Sequence, residues 1–250
     1  MNENVPQEWY TLSLIIPAHN EEAYIWACLD SVLAHANGLI DEMIVVDNVS
    51  TDQTNVICKQ YAAHHAIIRV VTETQKWPTY ARQRWYIEAK GDLLAYIDAD
   101  TRTPPWWTSR VISIFSGDHK LWFLSGPYTY YDLVWYKQIA SWIYQRLLAY
   151  PTYLLTGYMW VGGNFVIKRS ILDAIHGFDT SIIFYGDDTD IARRAKTLSK
   201  VRFDLNLAMP TSARRLIGQW LLKTAWVYMI YFFSQVLKNK SVTHEYKDFR

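Results

Sequence analysis

Four short apolar runs, each separated from the next by a segment of helical period, restrict this chain's architecture more than any other feature. The first, Leu12 to Ile16, is closed by Pro17. The second lies in "EMIVVD", the third runs from Ile67 to Val71, and the fourth opens "LLAYIDADTRTPPWW" at residue 93. Between the first two, Ile25, Leu29, Val32, Leu33 and Ala36 recur at helical spacing and Gly38 closes the helix. "NVSTDQT" reads as a turn with Ser50 or Thr51 as N-cap of a helix to about His65. A third helix is expected from about Tyr80 to Ala89, with Gly91 ending it. The pattern β-α-β-α-β-α-β implies right-handed crossovers and an α/β fold built on a mainly parallel sheet flanked by helices. The runs are continuously apolar and not alternating, as strands buried on both faces require.

In such sheets ligands sit beyond the carboxyl ends of the strands. That rule selects Pro17-Ala18-His19-Asn20-Glu21, Asp47-Asn48 and Asp98-Ala99-Asp100. Neither GxGxxG nor GxxxxGK[ST] occurs, so backbone cradling of phosphate is not expected and a dehydrogenase is disfavoured. A phosphorylated ligand then needs a cation. Hard divalent ions take one or two carboxylates together with substrate phosphates and water. Asp98 and Asp100 at a strand end suit that chemistry, with Ala99 turned into the fold; a solvated turn, or the cap of a helix starting near Pro104, is the plainer reading of the same residues. Asp47 can accept hydrogen bonds from a ribose or base, or simply end a strand. His19, Asn20 and Glu21 can serve a ligand or start a helix.

The second half is less regular. Leu121 to Gly126 reads as a strand, Leu133 to Tyr150 as a helix rich in Trp and Tyr, "GGNFVI" as a strand and Ser170 to Ile175 as a short helix. "GDDTDIARR" (186–194) places three acids before a helix. They form either a charged helix start or a site holding a general base, a role worth about 10²–10⁴-fold in rate. In "PTSARR" (210–215), Arg214 and Arg215 either clamp a diphosphate or a phosphate-linked acceptor, or face solvent or anionic lipid.

The formal net charge of +1 gives no electrostatic case for nucleic acid. Cys28 and Cys58 lack metal-type spacing and read as buried free thiols. "MNENVPQEWYTLS" has no basic region followed by an apolar core, so the expected setting is reducing and cytoplasmic. The 12 Trp and 18 Tyr suit ligand walls and lipid interfaces as well as cores. "LIGQWLLKTAWVYMIYFFSQVL" (216–237) is apolar but carries Gln219, Lys223, Ser234 and Gln235. A helix lying at the inner face of the membrane, or packed on the domain, is expected there before a full span.

"SLIIPAHNEE", "IVVDNVSTDQT", "KGDLLAYIDAD", "GGNFVIKRSILDAIHGFD" and "GDDTDIARR" follow one another in the order seen in family 2 glycosyltransferases of the GT-A fold. The resemblance covers about residues 12 to 195. It implies an inverting transferase that moves a sugar from a nucleotide-diphosphate donor, a UDP- or GDP-sugar, to a hydroxyl or phosphate of a glycan or polyprenyl-linked lipid acceptor, with Mn²⁺ or Mg²⁺. Pro17, His19, Glu21, Asp47 and Arg82 match positions that hold the nucleotide, and Asp98 shares ribose and metal with Asp100, the direct metal ligand. Gly162, Gly163, Asn164 and Asp187 match the donor–acceptor junction, where the family often has Glu in place of Asp187. Asp188 matches the catalytic base. His244, in the tail, is either a third metal ligand folded back as in some GT-A enzymes or an exposed terminal histidine. The Gln-x-x-Arg-Trp motif of processive synthases is missing, so addition of a single sugar is expected. On this reading residues 1–210 are the GT-A domain and 211–250 a helical extension. A sugar nucleotidyltransferase would want a glycine-rich basic loop after the first strand, where "PAHNEE" is acidic. A non-catalytic nucleotide-sugar or membrane-binding module remains the reading from another class.

Overall fold

The computed structural model describes residues 10–75, 78–157, 159, 161–182, 187–198 and 200–214; for Pro78, Asp187, Asp188, Thr189 and Ala192 the description is of the backbone alone. Each of the four apolar runs is a strand: β1 Leu12–Ala18, β2 Glu42–Asn48, β3 Ile68–Glu73 and β4 Leu93–Ile97. They pair in parallel, β2 on one side of β1 and β4 on the other. The connecting helices are α1 Ile25–His35, α2 Thr54–His64 and α3 Pro78–Glu88.

Both faces of this sheet are covered, which is why its strands are apolar without interruption. Leu12, Leu14, Ile16, Leu93, Ala95 and Ile97 pack to one side, with Ile25 and Leu29 of α1. The alternate residues Ile15, Leu94 and Tyr96 pack to the other, with Trp85 of α3. This is the two-residue period of a strand read on two faces. The expected cap of α2 differs from the observed one. Ser50 turns its hydroxyl to the amide of Asn20, and Asp52 takes over at the helix start, accepting from Thr54 N at 2.9 Å.

Beyond β4 come α4 Trp107–Gly117, β5 Leu121–Ser125, β6 Tyr128–Tyr130 and a long helical segment. That segment is α5 Trp135–Tyr144, a π-helical turn at Gln145–Ala149, and α6 Tyr150–Thr156. It extends past the Tyr150 end expected from sequence. Pro151 brings no amide hydrogen and its ring crowds the carbonyl one turn back, and the widened π turn before it absorbs the mismatch. Gly157, at φ 74°, ends the segment with its amide on Tyr153 O.

The chain then supplies β7 Asn164–Lys168, α7 Arg169–Ala174, α8 Asp187–Lys196, β8 Lys200–Phe203 and β9 Met209–Thr211. β7 inserts antiparallel between β4 and β5, giving a seven-stranded mixed sheet of order β3-β2-β1-β4-β7-β5-β8. β6 and β9 form a separate parallel pair. Among the described residues no helix is long and apolar enough to cross a membrane. The helix expected over 216–237 lies outside the described residues. The expected domain boundary after residue 210 falls inside β9.

The turn from β8 to β9 is held by Asp204. Its buried carboxylate accepts from Arg110 of α4 at 2.9 Å, from Arg202 at 3.0 Å and from the amide of Asn206 at 2.9 Å. Burial alone would raise its pKa, but the Asn206 amide and the two guanidinium groups outweigh that and hold it below the ordinary carboxylate value. A depressed folded pKa contributes stability that is fully present above the unfolded value of about 3.9 and is lost as pH falls through the lower folded value. Asp204→Asn is therefore expected to cost about 2 kcal/mol near neutral pH, and less in acid below that window. Urea melts at both pH values test this; an equal loss at each would count against the assignment.

Candidate active site

The parallel strands β1, β2 and β4 end on the same side of the sheet, and β2 and β4 flank β1 on opposite sides, so the strand order reverses at this point. Ala18 pairs with Asp47, so the segments after β1 and β2 emerge side by side. They are cross-braced. His19 Nδ1 lies 2.5 Å from Asn48 O, Thr51 N donates to Asn20 Oδ1 at 2.8 Å, and Glu21 N donates to Thr54 Oγ1 at 2.7 Å. Asn20 and Val49 have positive φ, 53° and 56°. Asparagine tolerates that region, whereas a β-branched valine is held there at a cost of about 1–3 kcal/mol. Asp47 is buried and accepts from Asn55 Nδ2 at 2.7 Å and from Ser50 N at 3.3 Å.

At the end of β4, Ala99 turns into the core as expected, leaving Asp98 and Asp100 to the site. Tyr128 Oη donates to Asp98 Oδ2 at 2.7 Å. Tyr128 is itself tied to the helical segment, its carbonyl accepting from Gln145 Nε2 at 2.6 Å. Asp100 is only 6% exposed. Its Oδ1 accepts from Thr211 Oγ1 at 3.0 Å, and its Oδ2 lies 3.0 Å from Arg214 Nη2. The same Arg214 nitrogen lies 2.5 Å from Glu21 Oε1, and the guanidinium sits over the Tyr24 ring, 4.6 Å from its centroid. Asp132 fixes the backbone leading to Arg214, accepting from Ser212 Oγ at 2.5 Å and from Ala213 N at 2.6 Å. Glu21 thus combines both roles read from sequence. Its carbonyl starts α1, accepting from Tyr24 and Ile25, while its carboxylate reaches the site.

Gly163 passes directly against this cluster. A Cβ there would lie 2.1 Å from Tyr128 Oη and 2.2 Å from Asp98 Cγ, so no side chain fits without moving one of them. Gly162 precedes it. Asn164 begins β7 fully buried, its amide donating to Pro127 O and Leu207 O and its oxygen accepting from Trp107 Nε1. The Asn164 side chain therefore joins β7, α4 and the β8–β9 turn beneath the glycines.

The acids of "GDDTDIARR" separate into two groups. Asp190 is buried and bonded to Arg193 at 2.8 Å and Arg194 at 2.7 Å, so it braces α8. Asp187 and Asp188 open that helix, and the structure describes their backbone. Arg82 lies in α3, and its charge acts on the buried hydroxyl of Tyr96, whose pKa burial pushes well up. Arg215 and His244 lie outside the described residues. Cys28 lies beneath the acidic pair, its Sγ 3.6 Å from Asp98 O. Burial pushes its thiol far up, with Asp100 and Asp98 adding to the effect, so it stays protonated. Cys58 is likewise free and buried, as expected.

Tyr128, Thr211, Asp132 and Tyr24 are site residues that sequence reasoning did not single out. β6 and β9 span three residues each, too short to carry a period, and they pair across a long stretch of chain. Among the described residues no group of three or more His, Cys, Asp and Glu could hold a metal. Asp98 and Asp100 nevertheless fit a hard divalent ion that draws its other ligands from water and a diphosphate. Asp100 is buried with its Oδ2 beside the Arg214 guanidinium, so a positive charge is already accommodated at this carboxylate.

Comparison with known proteins bears on the family and the fold. Over 109 residues the chain is 35% identical to glucosyl-3-phosphoglycerate synthase of Mycobacterium tuberculosis, covering 38% of this chain and 32% of that protein. Over 108 residues it is 32% identical to the glycosyltransferase AglE of Haloferax volcanii, covering 42% and 36%. The matches thus span about a third of the length of these relatives. Among solved structures, mannosyltransferase PcManGT from Pyrobaculum calidifontis, in complex with GDP-Man and Mn²⁺, superposes with a TM-score of 0.72. The identity is 18%, over 95% of this chain and 67% of that one, so the likeness is one of fold. The mainly parallel mixed sheet with its flanking helices is the GT-A fold. The model of glycosyl transferase family 2 matches residues 13–176, well over half of the sequence, and the chain belongs to that family.

Proposed function

We propose that this chain is an inverting glycosyltransferase that moves one sugar from a UDP- or GDP-sugar to a hydroxyl or phosphate of a glycan or lipid-linked acceptor. The observation that carries the reading is the pair Asp98 and Asp100 at the switch point between β1 and β4, with Asp100 buried against a cation. PcManGT binds GDP-Man with Mn²⁺, and the mycobacterial synthase has been solved with Mn²⁺ and UDP, which supports a divalent ion here, Mn²⁺ or Mg²⁺. When bound, that ion would neutralise charge growing on the leaving diphosphate. Residues 1–210 are assigned to the transferase domain and 211–250 to an extension whose first residues, Thr211 to Arg214, reach into the site.

The chain's residues divide the work as follows. Pro17, His19, Glu21, Asp47 and Arg82 border the base and ribose. Asp98 and Asp100 hold the ion, with Tyr128 and Thr211 fixing the orientation of each carboxylate. Gly163, having no side chain, lets the segment before β7 lie directly against Asp98 and Tyr128; with Gly162 it lines the donor–acceptor junction, and Asn164 keeps that strand end in place. Asp188 takes the acceptor proton as the acceptor oxygen bonds to the anomeric carbon and the bond to the diphosphate breaks on the opposite face.

A specific observation favours a lipid-linked acceptor and peripheral membrane contact. Along α5, the π turn and α6, Trp135, Ile139, Trp142, Leu147, Leu154 and Leu155 are all exposed, Trp135 by 72% and Leu155 by 88%. No Asp or Glu occurs from Leu133 to Thr156, and the only charges there are Lys137 and Arg146. The Arg146 guanidinium lies over the Trp142 ring at 4.4 Å. Aromatic and aliphatic side chains with cations and no acids match the headgroup boundary of an anionic bilayer.

Three measurements test these assignments. With Mn²⁺ present, UDP or GDP at 100-fold its Kd should stabilise the protein by about 2.7 kcal/mol. In Gly163→Ala, whose Cβ must displace Asp98 or Tyr128, that gain should fall sharply, measured from the variant's own ligand-free melting point; an unchanged gain would remove Asp98 from the metal seat. Asp188→Asn should abolish sugar transfer with nucleotide affinity nearly intact, and full turnover by this variant would sink the base assignment. The full chain should sediment with phosphatidylglycerol vesicles but not with phosphatidylcholine ones. Trp135→Ser combined with Trp142→Ser should weaken that binding about tenfold or more, and equal binding by the double variant would argue for a packed helix face.

A further inference from the structure

We infer that Arg214 is the resident counter-cation of the unliganded site, and that a divalent ion with the donor diphosphate displaces it from Asp100 and takes the guanidinium onto the diphosphate. The inference rests on the metal seat assigned above to Asp98 and Asp100.

Arg214 is not a solvated rim residue. Its side chain is 18% exposed and joins two carboxylates, Glu21 and Asp100, that are each about 5% exposed. The oxygen it meets is Asp100 Oδ2, while Oδ1 accepts from Thr211. A hard divalent ion binds a carboxylate oxygen at about 2.0–2.1 Å. A guanidinium 3.0 Å from the same oxygen competes with it for charge and for space. Without nucleotide, the ion must therefore bind against a cation already seated. With a diphosphate present, the guanidinium gains a better-matched partner, because its planar fork pairs bidentately with phosphate oxygens. Asp132 holds the backbone at Ser212 and Ala213, so the segment leading to Arg214 is fixed while its side chain exchanges partners. Glu21 and the Tyr24 ring, at the start of the nucleotide side of the site, define where that side chain rests beforehand. Metal and diphosphate consequently bind with a positive coupling that runs in part through Arg214.

The experiment is a Mn²⁺ titration of the full chain, read as free Mn²⁺ by electron paramagnetic resonance, with and without UDP and GDP. Arg214→Met should bind Mn²⁺ alone about fivefold tighter or more, and the gain in Mn²⁺ affinity from nucleoside diphosphate should shrink by at least that factor. Arg214→Lys keeps the charge but lacks the fork that spans two carboxylates, so its affinity should fall between the two. If Arg214→Met binds Mn²⁺ alone no better than wild type, the counter-cation role is overturned. Asp100→Asn separates this from failure of the metal seat itself. Mn²⁺ binding unchanged in Asp100→Asn overturns the seat, whereas its loss there with no gain in Arg214→Met overturns only the exchange. Should Arg214→Met not fold without metal, added Mn²⁺ is expected to restore a cooperative melting transition by supplying the missing charge. A chain that stays unfolded at saturating Mn²⁺ equally overturns the inference.

Discussion

Asp100 is a carboxylate held at the edge of a seven-stranded sheet with almost no access to water, and the rest of the site is arranged around that charge. A buried charge without a partner costs several kcal/mol, so its surroundings must supply either a cation or a dense set of donors. This fold supplies both from one direction. β9 brings Thr211 to one oxygen and Arg214 to the other. β9 is in position because β6 pairs with it and because Asp204 fixes the turn before it. Removing that support would leave Asp100 with an uncompensated charge beneath a sheet edge.

The insertion of β7 between β4 and β5 has a second effect. An antiparallel strand there starts where β4 ends, with Asn164 opposite Ile97. The residues just before β7, Gly162 and Gly163, are thereby carried to Asp98, which sits just after β4. A parallel strand in that place would have brought its far end instead. The approach of Gly163 to Asp98 is thus a consequence of strand direction, and the missing side chain is what makes it sterically possible.

Strands β1 to β4 and their helices could be read from sequence because continuous apolar runs and helical spacing are local signals. That Asp98 and Asp100 follow a strand was legible for a related reason, since the polar residues after parallel strands share one side of the sheet. Strand direction was not legible at "GGNFVI", where composition is the same for either sense. The partners of the acids were hidden more deeply. Glu21 and Arg214 are 193 residues apart, and nothing local to either announces the contact. The expected cap at Ser50 or Thr51 failed because Ser50 was recruited across to Asn20, a choice made by the neighbouring segment. Residues in "PTSARR" were noticed for charge alone, and their placement became visible only once β9 had a partner.

The braces between the segments after β1 and β2 bear on the entropy of recognition. Asn20, Glu21, Thr51 and Thr54 tie the two together, and Val49 is kept in a conformation that a loose loop would abandon. Ordering a flexible loop around a ligand consumes part of the binding free energy, roughly 0.5–1.5 kcal/mol for each side chain immobilised. Here that ordering is completed during folding, so a small polar ligand arriving at this wall meets a surface already in its final shape. On the proposed function, selectivity on the nucleotide side would then reside in fixed geometry, which admits or rejects a ring by its outline.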